Sequence, residues 1–447
     1  MRGLRSTLLL FVVLVGLGAY IYFKEWHSPS LVEVSASRPR VLTVAPDAIE
    51  QITVRSENGD ATTLTKGGDA WQIVSPVAAN ADATATIEMT RALANLEIRD
   101  VVDENPTNLE QYGLDPPRLE VVLKTSGDAM SRRLLIGDKT PAGENLYAKL
   151  ASETRVLLIA ASIDATFNKT TWSLRDRRVL PIDRVGVDSL EVTGPGGKVV
   201  LVRQDQEWHL TQPLRMRADL GVVSDLVARL TSAEMQSLLA PDAAQLSRCG
   251  LEKPIHVVTL GTGSSRATLQ VGSKADASTT CARDVSRPLV FTIETSLVDQ
   301  LKKPVGEYRR KDVFAFAPHD ARRIEVTRNG ETRMYERTDT SRDERQAWRE
   351  VSPGTREIQP ERMDTALSGL SFLRAVTFVD TPRIKGGLAS PDILILVRYG
   401  DAANEERVAL ARIDDVPYAT RREWPDAATL DANAYARVLD ALNALEK

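Results

Sequence analysis

The chain has 447 residues, of which 43% are hydrophobic and 26% are charged, and its formal net charge at pH 7 is −4. These values are ordinary for folded protein with two to four domains, and the lack of a basic excess argues against nucleic acid as a partner. Its two cysteines and four scattered histidines form neither a disulfide scaffold nor the local ligand pairs of a zinc site, so no metal or cofactor is predicted.

The first 39 residues predict a membrane anchor and a tether. Residues 7–23 form an uncharged apolar run, which at about 1.5 Å per residue crosses most of a roughly 30 Å hydrocarbon core. Arg2 and Arg5 precede this run, so the positive-inside rule keeps residues 1–6 in the cytoplasm and exports the rest. We therefore expect a transmembrane helix over 7–23 and a polar tether over 24–39. A cleaved signal peptide is the alternative, although its nearest small-x-small site, Val34–Ala36, lies well beyond the run.

Two motifs then recur three times at nearly constant spacing. The Trp-x4-Pro motif recurs at spacings of 137 and 140 residues, and the Gly-Leu-x-x-Pro motif at 137 and 137. Such self-similarity is the signature of tandem structural repeats. The chain therefore divides into repeat 1 over 40–177, repeat 2 over 178–310 and repeat 3 over 311–447. The repeat-defining structural residues are Trp71, Pro76, Gly113, Leu114, Pro117, Trp208, Pro213, Gly250, Leu251, Pro254, Trp348, Pro353, Gly387, Leu388 and Pro391.

Within each repeat, the pattern predicts a hairpin, a helix, a turn, more strands and a short closing helix. Alternating residues flank turn signals such as Glu57–Asp60, and Asp82 and Asp219 are the expected N-caps of the first helix. The Gly-Leu-x-x-Pro segment is predicted to be a turn, because glycine permits a left-handed backbone and proline cannot continue a helix. The predicted fold class is α+β, with three tandem repeats that each pack a mainly antiparallel sheet on one or two helices.

No group of residues predicts catalysis. We expect the repeated tryptophans to be core anchors, since an indole buries a large apolar area, although a ligand-stacking role is the alternative. Gly194–Lys198 lacks the spacing of a phosphate loop and is predicted to be a hairpin turn. No nucleophile elbow or Ser, His and Asp set stands out. We therefore predict no catalytic, cofactor-binding or metal-binding residues, with a carboxylate pair set only by geometry left open.

The two cysteines occupy places that tyrosines hold in repeat 1. Cys249 precedes Gly250 as Tyr112 precedes Gly113, and Cys281 stands where repeat 1 has Tyr147. If these two positions pack together, a tyrosine contact in repeat 1 would become a disulfide in repeat 2, which an oxidising exported compartment permits. The sequence therefore predicts a Cys249–Cys281 disulfide, and two separate buried thiols are the alternative.

The combination of these features resembles a bacterial family catalogued as domain of unknown function 4340. The shared features are one N-terminal anchor, Trp-x4-Pro, a Tyr or Cys before Gly-Leu-x-x-Pro, an Ile-Gly or Val-Gly pair (Ile136–Gly137, Val271–Gly272) and Tyr-Ala. Repeat 3 departs most, because Gly386 stands where Tyr or Cys is expected and Ile413–Asp414 replaces the Ile-Gly pair. The family offers no established catalytic residues. The resemblance implies a companion of an ABC-type export system whose other membrane components resemble gliding-motility auxiliary proteins.

We therefore expect a non-catalytic, single-pass protein of the bacterial inner membrane, with its N-terminus cytoplasmic and its bulk periplasmic. Its exported three-domain arm would be an accessory or scaffold component that binds membrane proteins of an ABC-type export or gliding-like system. A module that binds envelope glycan or polysaccharide is the first alternative, and it requires exposed repeat tryptophans. A hydrolase is the second alternative, and it requires polar residues of one repeat clustered in a cleft.

Overall fold

The computed structural model describes residues 38–128, 130–338, 347–400 and 404–447. These residues form three antiparallel sheets of nine strands each, together with helices, so the α+β fold in three tandem repeats is confirmed. The chain divides into two compact units, one ending at Arg177 and one spanning Arg178–Lys447. The anchor predicted over 7–23 lies outside the described residues. Among the residues that are described, no helix is both long and apolar enough to span a bilayer.

Repeat 1 forms the first compact unit. Its strands are β1 (Ile49–Arg55), β2 (Ala61–Gly67), β3 (Ala70–Ser75), β4 (Ala79–Asn80), β5 (Asp100–Asp103), β6 (Leu119–Thr125), β7 (Arg132–Lys139), β8 (Asn145–Leu150) and β9 (Val156–Ala160). The strand order is β4-β3-β2-β1-β6-β7-β8-β9-β5, so two meanders meet where β1 pairs with β6. The sequence predicted the first hairpin and the later strands of each repeat, whereas the β1–β6 pairing joins segments more than sixty residues apart, a distance that no local signal reports.

The helices of repeat 1 are α1 (Ala83–Ala94), α2 (Ile163–Phe167) and α3 (Thr171–Leu174). The predicted N-cap is correct, since the Asp82 carboxylate accepts a hydrogen bond from the Ala85 amide at 2.7 Å. Met89 and Leu93 are fully buried on the face of α1 that packs on the sheet, where their spacing places them one turn apart. This helix therefore covers the apolar face that the alternating strands present.

Repeat 2 repeats the same plan at the start of the second unit. Its strands are β10 (Ser189–Gly194), β11 (Gly197–Gln204), β12 (Glu207–Gln212), β13 (Met216–Arg217), β14 (Ser237–Leu239), β15 (His256–Thr262), β16 (Ser265–Lys274), β17 (Thr279–Asp284) and β18 (Leu289–Glu294). Its helices are α4 (Leu220–Ser232), α5 (Ala243–Arg248) and α6 (Thr295–Leu301). The strand order is β13-β12-β11-β10-β15-β16-β17-β18-β14, which matches repeat 1 strand for strand. Asp219 caps α4 as predicted, accepting from the Val222 amide at 3.1 Å.

Repeat 3 completes the second unit. Its strands are β19 (Ala321–Arg328), β20 (Glu331–Thr338), β21 (Ala347–Ser352), β22 (Arg356–Ile358), β23 (Ala375–Val379), β24 (Ile393–Tyr399), β25 (Asn404–Ile413), β26 (Val416–Arg421) and β27 (Ala427–Leu430). Its helices are α7 (Pro360–Ser371), α8 (Pro382–Ala389) and α9 (Ala432–Glu446). The strand order, β22-β21-β20-β19-β24-β25-β26-β27-β23, is again the same. The closing helix α9 is the longest of the described helices and packs on α7, where Gly369 faces Val438.

Candidate functional site

The three repeat tryptophans lie on the third strand of their sheets. Trp208 is 5% exposed and Trp348 is 1% exposed, whereas Trp71 is half-buried and packs at the edge of the core of repeat 1. A buried indole has no face free to stack on a ligand. The tryptophans of repeats 2 and 3 therefore anchor their cores, as the sequence predicted, and only Trp71 keeps part of its surface in solvent.

The prolines of the Trp-x4-Pro motif share one backbone feature. Each follows directly on the strand that carries the tryptophan, and each of the bonds Ser75–Pro76, Gln212–Pro213 and Ser352–Pro353 is cis. The next short strand then pairs back on the tryptophan strand. The proline of the motif therefore lies in a turn that reverses the chain direction between two paired strands, which is a structural role.

The Gly-Leu-x-x-Pro segments of repeats 1 and 2 are turns that dock on a neighbouring strand. Gly113 and Gly250 both have a φ of 65°, a left-handed conformation that favours glycine. A Cβ at Gly272 would overlap the carbonyl oxygen of Cys249, and a Cβ at Gly137 would overlap that of Tyr112. The glycines of the Ile-Gly and Val-Gly pairs therefore leave room for this turn, which lies directly against them. The leucines are the buried anchors of the turns and the prolines are half-buried: Leu114, Leu251, Pro117 and Pro254.

Repeat 3 does not form this turn, and the prediction for it was wrong. Gly387 and Leu388 lie inside α8, and Pro391 follows the end of that helix. Thr381 caps α8 and Pro382 begins it, so this segment has its own helix-start signal, and Leu388 is buried on the helix face. The strand register also shows that Leu410 and the buried Ala411, rather than Ile413–Asp414, correspond to the Ile-Gly pair of repeat 1.

The aligned tyrosine and cysteine positions lie together in both repeats. In repeat 1 the rings of Tyr112 and Tyr147 have centroids 5.0 Å apart, and the Tyr112 hydroxyl donates to the Asp103 carboxylate at 3.2 Å. Burial, and then the nearby Asp103 carboxylate, raise the pKa of Tyr112. In repeat 2 the structure joins Cys249 and Cys281 in a disulfide with a Cα–Cα distance of 5.5 Å. Both pairs fasten the docked turn to the sheet, so they are structural elements.

A buried ion pair fastens repeat 2 to repeat 3 within the second unit. Arg309, which is 2% exposed, follows the last turn of repeat 2 and donates to both Asp426 carboxylate oxygens, at 2.5 and 2.8 Å. Its guanidinium carbon lies 3.4 Å from the ring centroid of Phe378. A bidentate pair stacked on an aromatic ring fixes both distance and angle. These three side chains therefore form a fixed contact between repeats 2 and 3.

Beside this ion pair, repeats 2 and 3 enclose a cleft of about 810 Å³, which we call the repeat 2–3 cleft. Four arginines and four acidic residues line it, together with one histidine and aromatic side chains. They are Arg215, Arg217, Arg310, Arg421, Asp312, Glu405, Glu406, Glu423, His209, Tyr399 and Trp424. The site therefore draws its charged groups from both repeats. No local pattern in the sequence indicates this cleft, because its charged residues come from two repeats that meet only in the folded chain.

Most charges in the repeat 2–3 cleft are already paired. The buried Glu406 accepts from the Ala315 amide at 2.8 Å and from Arg421 at 3.3 Å, and Arg421 also contacts Glu423 at 2.7 Å. The Arg310 guanidinium contacts Asp312 at 2.6 Å. The walls of the cleft are therefore preorganised as fixed charges.

Arg215 differs from the other cleft arginines. It is exposed, and no acidic side chain among the described residues lies within ion-pair distance of it. The described residues also contain no group of three or more His, Cys, Asp or Glu side chains that could hold a metal ion. The cleft therefore offers one available cation on walls whose other charges are engaged.

Comparisons with known proteins give one family. A family model described as a domain of unknown function (DUF4340) matches residues 71–209 and 208–391, two segments that begin at successive repeat tryptophans. Among curated proteins, none matches this chain. One solved structure, of a chain assigned as a DNA polymerase III beta subunit from Eubacterium rectale, is 8% identical over 89% of this chain and 94% of that chain. Its TM-score of 0.13 carries no argument about fold or function.

Proposed function

Since the chain belongs to the DUF4340 family, we propose that it is a non-catalytic, single-pass inner-membrane protein whose exported arm binds other membrane proteins. The arm would be an accessory or scaffold component beside an ABC-type export or gliding-like system. The apolar run over 7–23 supports the anchor, and the position of Arg2 and Arg5 supports a periplasmic bulk. The family resemblance supports the export system as partner.

The repeat 2–3 cleft is the observation that carries the proposal. Apart from Arg215, its charged side chains are held by ion pairs before any partner arrives, so these side chains have little entropy left to lose on binding. Arginine and tryptophan, both present here as Arg215 and Trp424, are the residue types that contribute most at protein interfaces. A mixed-charge protein segment with an acidic group opposite Arg215 would complement this surface.

The same geometry favours binding over hydrolysis. The hydrolase hypothesis requires that polar groups of a single repeat cluster in a cleft. The cleft instead draws its polar groups from two repeats rather than from one, and Glu406 is fixed by an amide and by Arg421. These features support a role as a recognition surface.

Glycan binding is the second candidate, and one observation favours it. Trp424 lies in the wall of the cleft, held edge-on by Phe378 with ring centroids 5.2 Å apart, and such a fixed indole can stack on a sugar. The burial of Trp208 and Trp348 removes the other stacking surfaces that this function would use in the second unit. Quenching of the Trp424 fluorescence by envelope polysaccharide, lost in Trp424→Phe, would favour glycan over protein as the occupant.

Affinity purification of the full-length chain from solubilised membranes tests the proposal. We expect transporter subunits to co-purify with the native chain. Arg215→Glu should reduce their recovery at least several-fold, because it reverses the charge of a cleft cation that no described acidic side chain pairs with. Arg248→Glu is the matched control, since Arg248 is an exposed arginine of repeat 2 outside the cleft. Recovery of no transporter subunit would refute the export role. Equal recovery with both variants would refute the cleft as the contact.

A further inference from the structure

Repeat 2 contains a second cavity, separate from the repeat 2–3 cleft. Its volume is about 430 Å³, within the range of small-molecule sites. The hairpin turn Gly194–Gly197 forms one wall, and the segment from Leu301 to Tyr308 forms another. Much of the remaining lining is apolar, including Val192 and Val199. The cavity therefore offers mainly apolar walls to whatever enters it.

Two buried polar side chains line this cavity without partners. His256 is 3% exposed and Tyr308 is 0% exposed. Neither the Nδ1 atom of His256 nor the hydroxyl of Tyr308 has a hydrogen-bond partner among the described residues. Burial of a polar group without a partner costs folding free energy, so such groups are rare in folded proteins unless they serve a purpose. Here both unpartnered atoms belong to residues that line the same cavity.

The polar pair is specific to repeat 2. His256 stands two residues after Pro254, and the same place is Leu119 in repeat 1 and Ile393 in repeat 3, with equivalent strand register. Tyr308 corresponds to Leu174, because the carbonyls of both accept from the N-cap aspartate amide of the first helix of their repeat. An apolar residue therefore fits each position of this fold, and stability alone does not require histidine or tyrosine.

The backbone of repeat 2 is also adapted to the histidine. A Cβ at Gly194 would overlap the Nδ1 atom of His256. The sheet register places Ser56 of repeat 1 and Arg328 of repeat 3 at the position of Gly194. Repeat 2 therefore lacks a side chain at the place where the imidazole approaches. Gly194, His256 and Tyr308 are thus three differences from repeat 1 that lie at one cavity.

The protonation states make both groups donors of hydrogen bonds. Burial, and then the positive charge of Lys302, lower the pKa of His256, so its imidazole is neutral at pH 7 and carries one N–H. Burial raises the pKa of Tyr308 to about 12, so its hydroxyl keeps its proton. At the rim Lys302 is paired with Asp299 at 2.6 Å, whereas Lys303 has no ion-pair partner among the described residues. The cavity thus combines two neutral donors with an available cation.

We infer that this cavity binds a small carboxylate with an apolar body. The Tyr308 hydroxyl and the His256 imidazole donate hydrogen bonds to the carboxylate, and the Lys303 ammonium offsets its charge. The apolar body lies against Val199 and Val305. A carboxylate accepts several hydrogen bonds at once, so one ligand group satisfies both buried donors. The site does not depend on the proposed partner binding, since it lies within repeat 2.

Ligand-detected saturation-transfer NMR tests this inference on the full-length chain in nanodiscs, with empty nanodiscs as the blank. The probe is cyclohexanecarboxylate, which is water-soluble and compact. Its neutral isostere cyclohexanecarboxamide tests the charge, and acetate tests the apolar body. Tyr308→Phe removes one donor and keeps the ring, and His256→Leu installs the residue type of repeat 1. Tyr335→Phe is the matched control, because Tyr335 is a buried tyrosine of repeat 3 outside the cavity.

We expect cyclohexanecarboxylate to bind the native chain and the Tyr335→Phe variant equally. Tyr308→Phe should weaken binding at least tenfold, the effect of one hydrogen bond to a charged group. His256→Leu should weaken it similarly, and the carboxamide and acetate should bind more weakly than the probe. Thermal unfolding of each variant identifies any loss that comes from misfolding. Absence of binding to the native chain overturns the inference, as does binding that the carboxamide equals or that Tyr308→Phe and His256→Leu leave unchanged.

Discussion

Removal of the Asp426 carboxylate should weaken the contact between repeats 2 and 3. Asp426→Ala leaves the Arg309 guanidinium, which is 2% exposed, without its acidic partner while it stays enclosed between the two repeats. Breaking a buried ion pair from one side costs about 3 to 5 kcal/mol, because an uncompensated charge remains out of water. The Phe378 ring, 3.4 Å from the guanidinium carbon, offsets part of this cost. We therefore expect a loss near the lower limit, about 3 kcal/mol.

Urea unfolding measures this loss, and amide hydrogen exchange locates it. Exchange should accelerate in β23, which carries Phe378, and in β27, which directly follows Asp426. The control is Arg383→Ala, which breaks the ion pair between Arg383 and Asp414. These side chains are 72% and 62% exposed, and such a surface pair contributes about 0 to 1 kcal/mol. The double variant Arg309→Met with Asp426→Leu should recover most of the stability, because no charge is left buried. If Asp426→Ala lowered the free energy of unfolding no more than Arg383→Ala does, the stabilising role of the Arg309–Asp426 ion pair would be refuted.

Three further outcomes follow from single sites in repeat 2. Gly272→Ala should destabilise the chain by about 1 to 3 kcal/mol in urea titration, because the new methyl group overlaps the Cys249 carbonyl oxygen. The control is Gly196→Ala, whose methyl group enters open space and should change the free energy of unfolding by less than about 0.5 kcal/mol. Replacing Cys249 and Cys281 together by alanine removes a cross-link over 32 residues and should cost about 3 to 4 kcal/mol by the chain-entropy model, and a cost below 1 kcal/mol would contradict that mechanism. The pKa of His256 is lowered in the folded state, so the unfolded chain binds a proton on His256 more readily than the folded chain does. As the pH falls below about 6.5, the free energy of unfolding therefore decreases by up to about 1.4 kcal/mol per pH unit. Unfolding titrations at pH 7 and 5 should show that His256→Leu removes this contribution.

The short-range features of this fold could be predicted from local signals. The N-cap residues Asp82 and Asp219 both cap the helices that follow them. The tyrosine and cysteine pairs were also predictable, because comparison of two copies of one fold reveals which positions change together. Repeated sequence thus supplied long-range information that a single copy lacks. The failure at Gly387–Leu388 has a local cause, since Pro382 and Thr381 start a helix that the motif comparison did not weigh.

The sequence by itself determined the three repeats, their α+β class and the buried role of Trp208 and Trp348. These features depend on periodicity and residue size, which act between neighbours along the chain. The tertiary structure alone decided the joining of the two meanders in each sheet, the buried pair of Arg309 with Asp426, and the cavity of His256. Arg309 and Asp426 are 117 residues apart, and their attraction depends on a distance in space that no spacing in the sequence encodes.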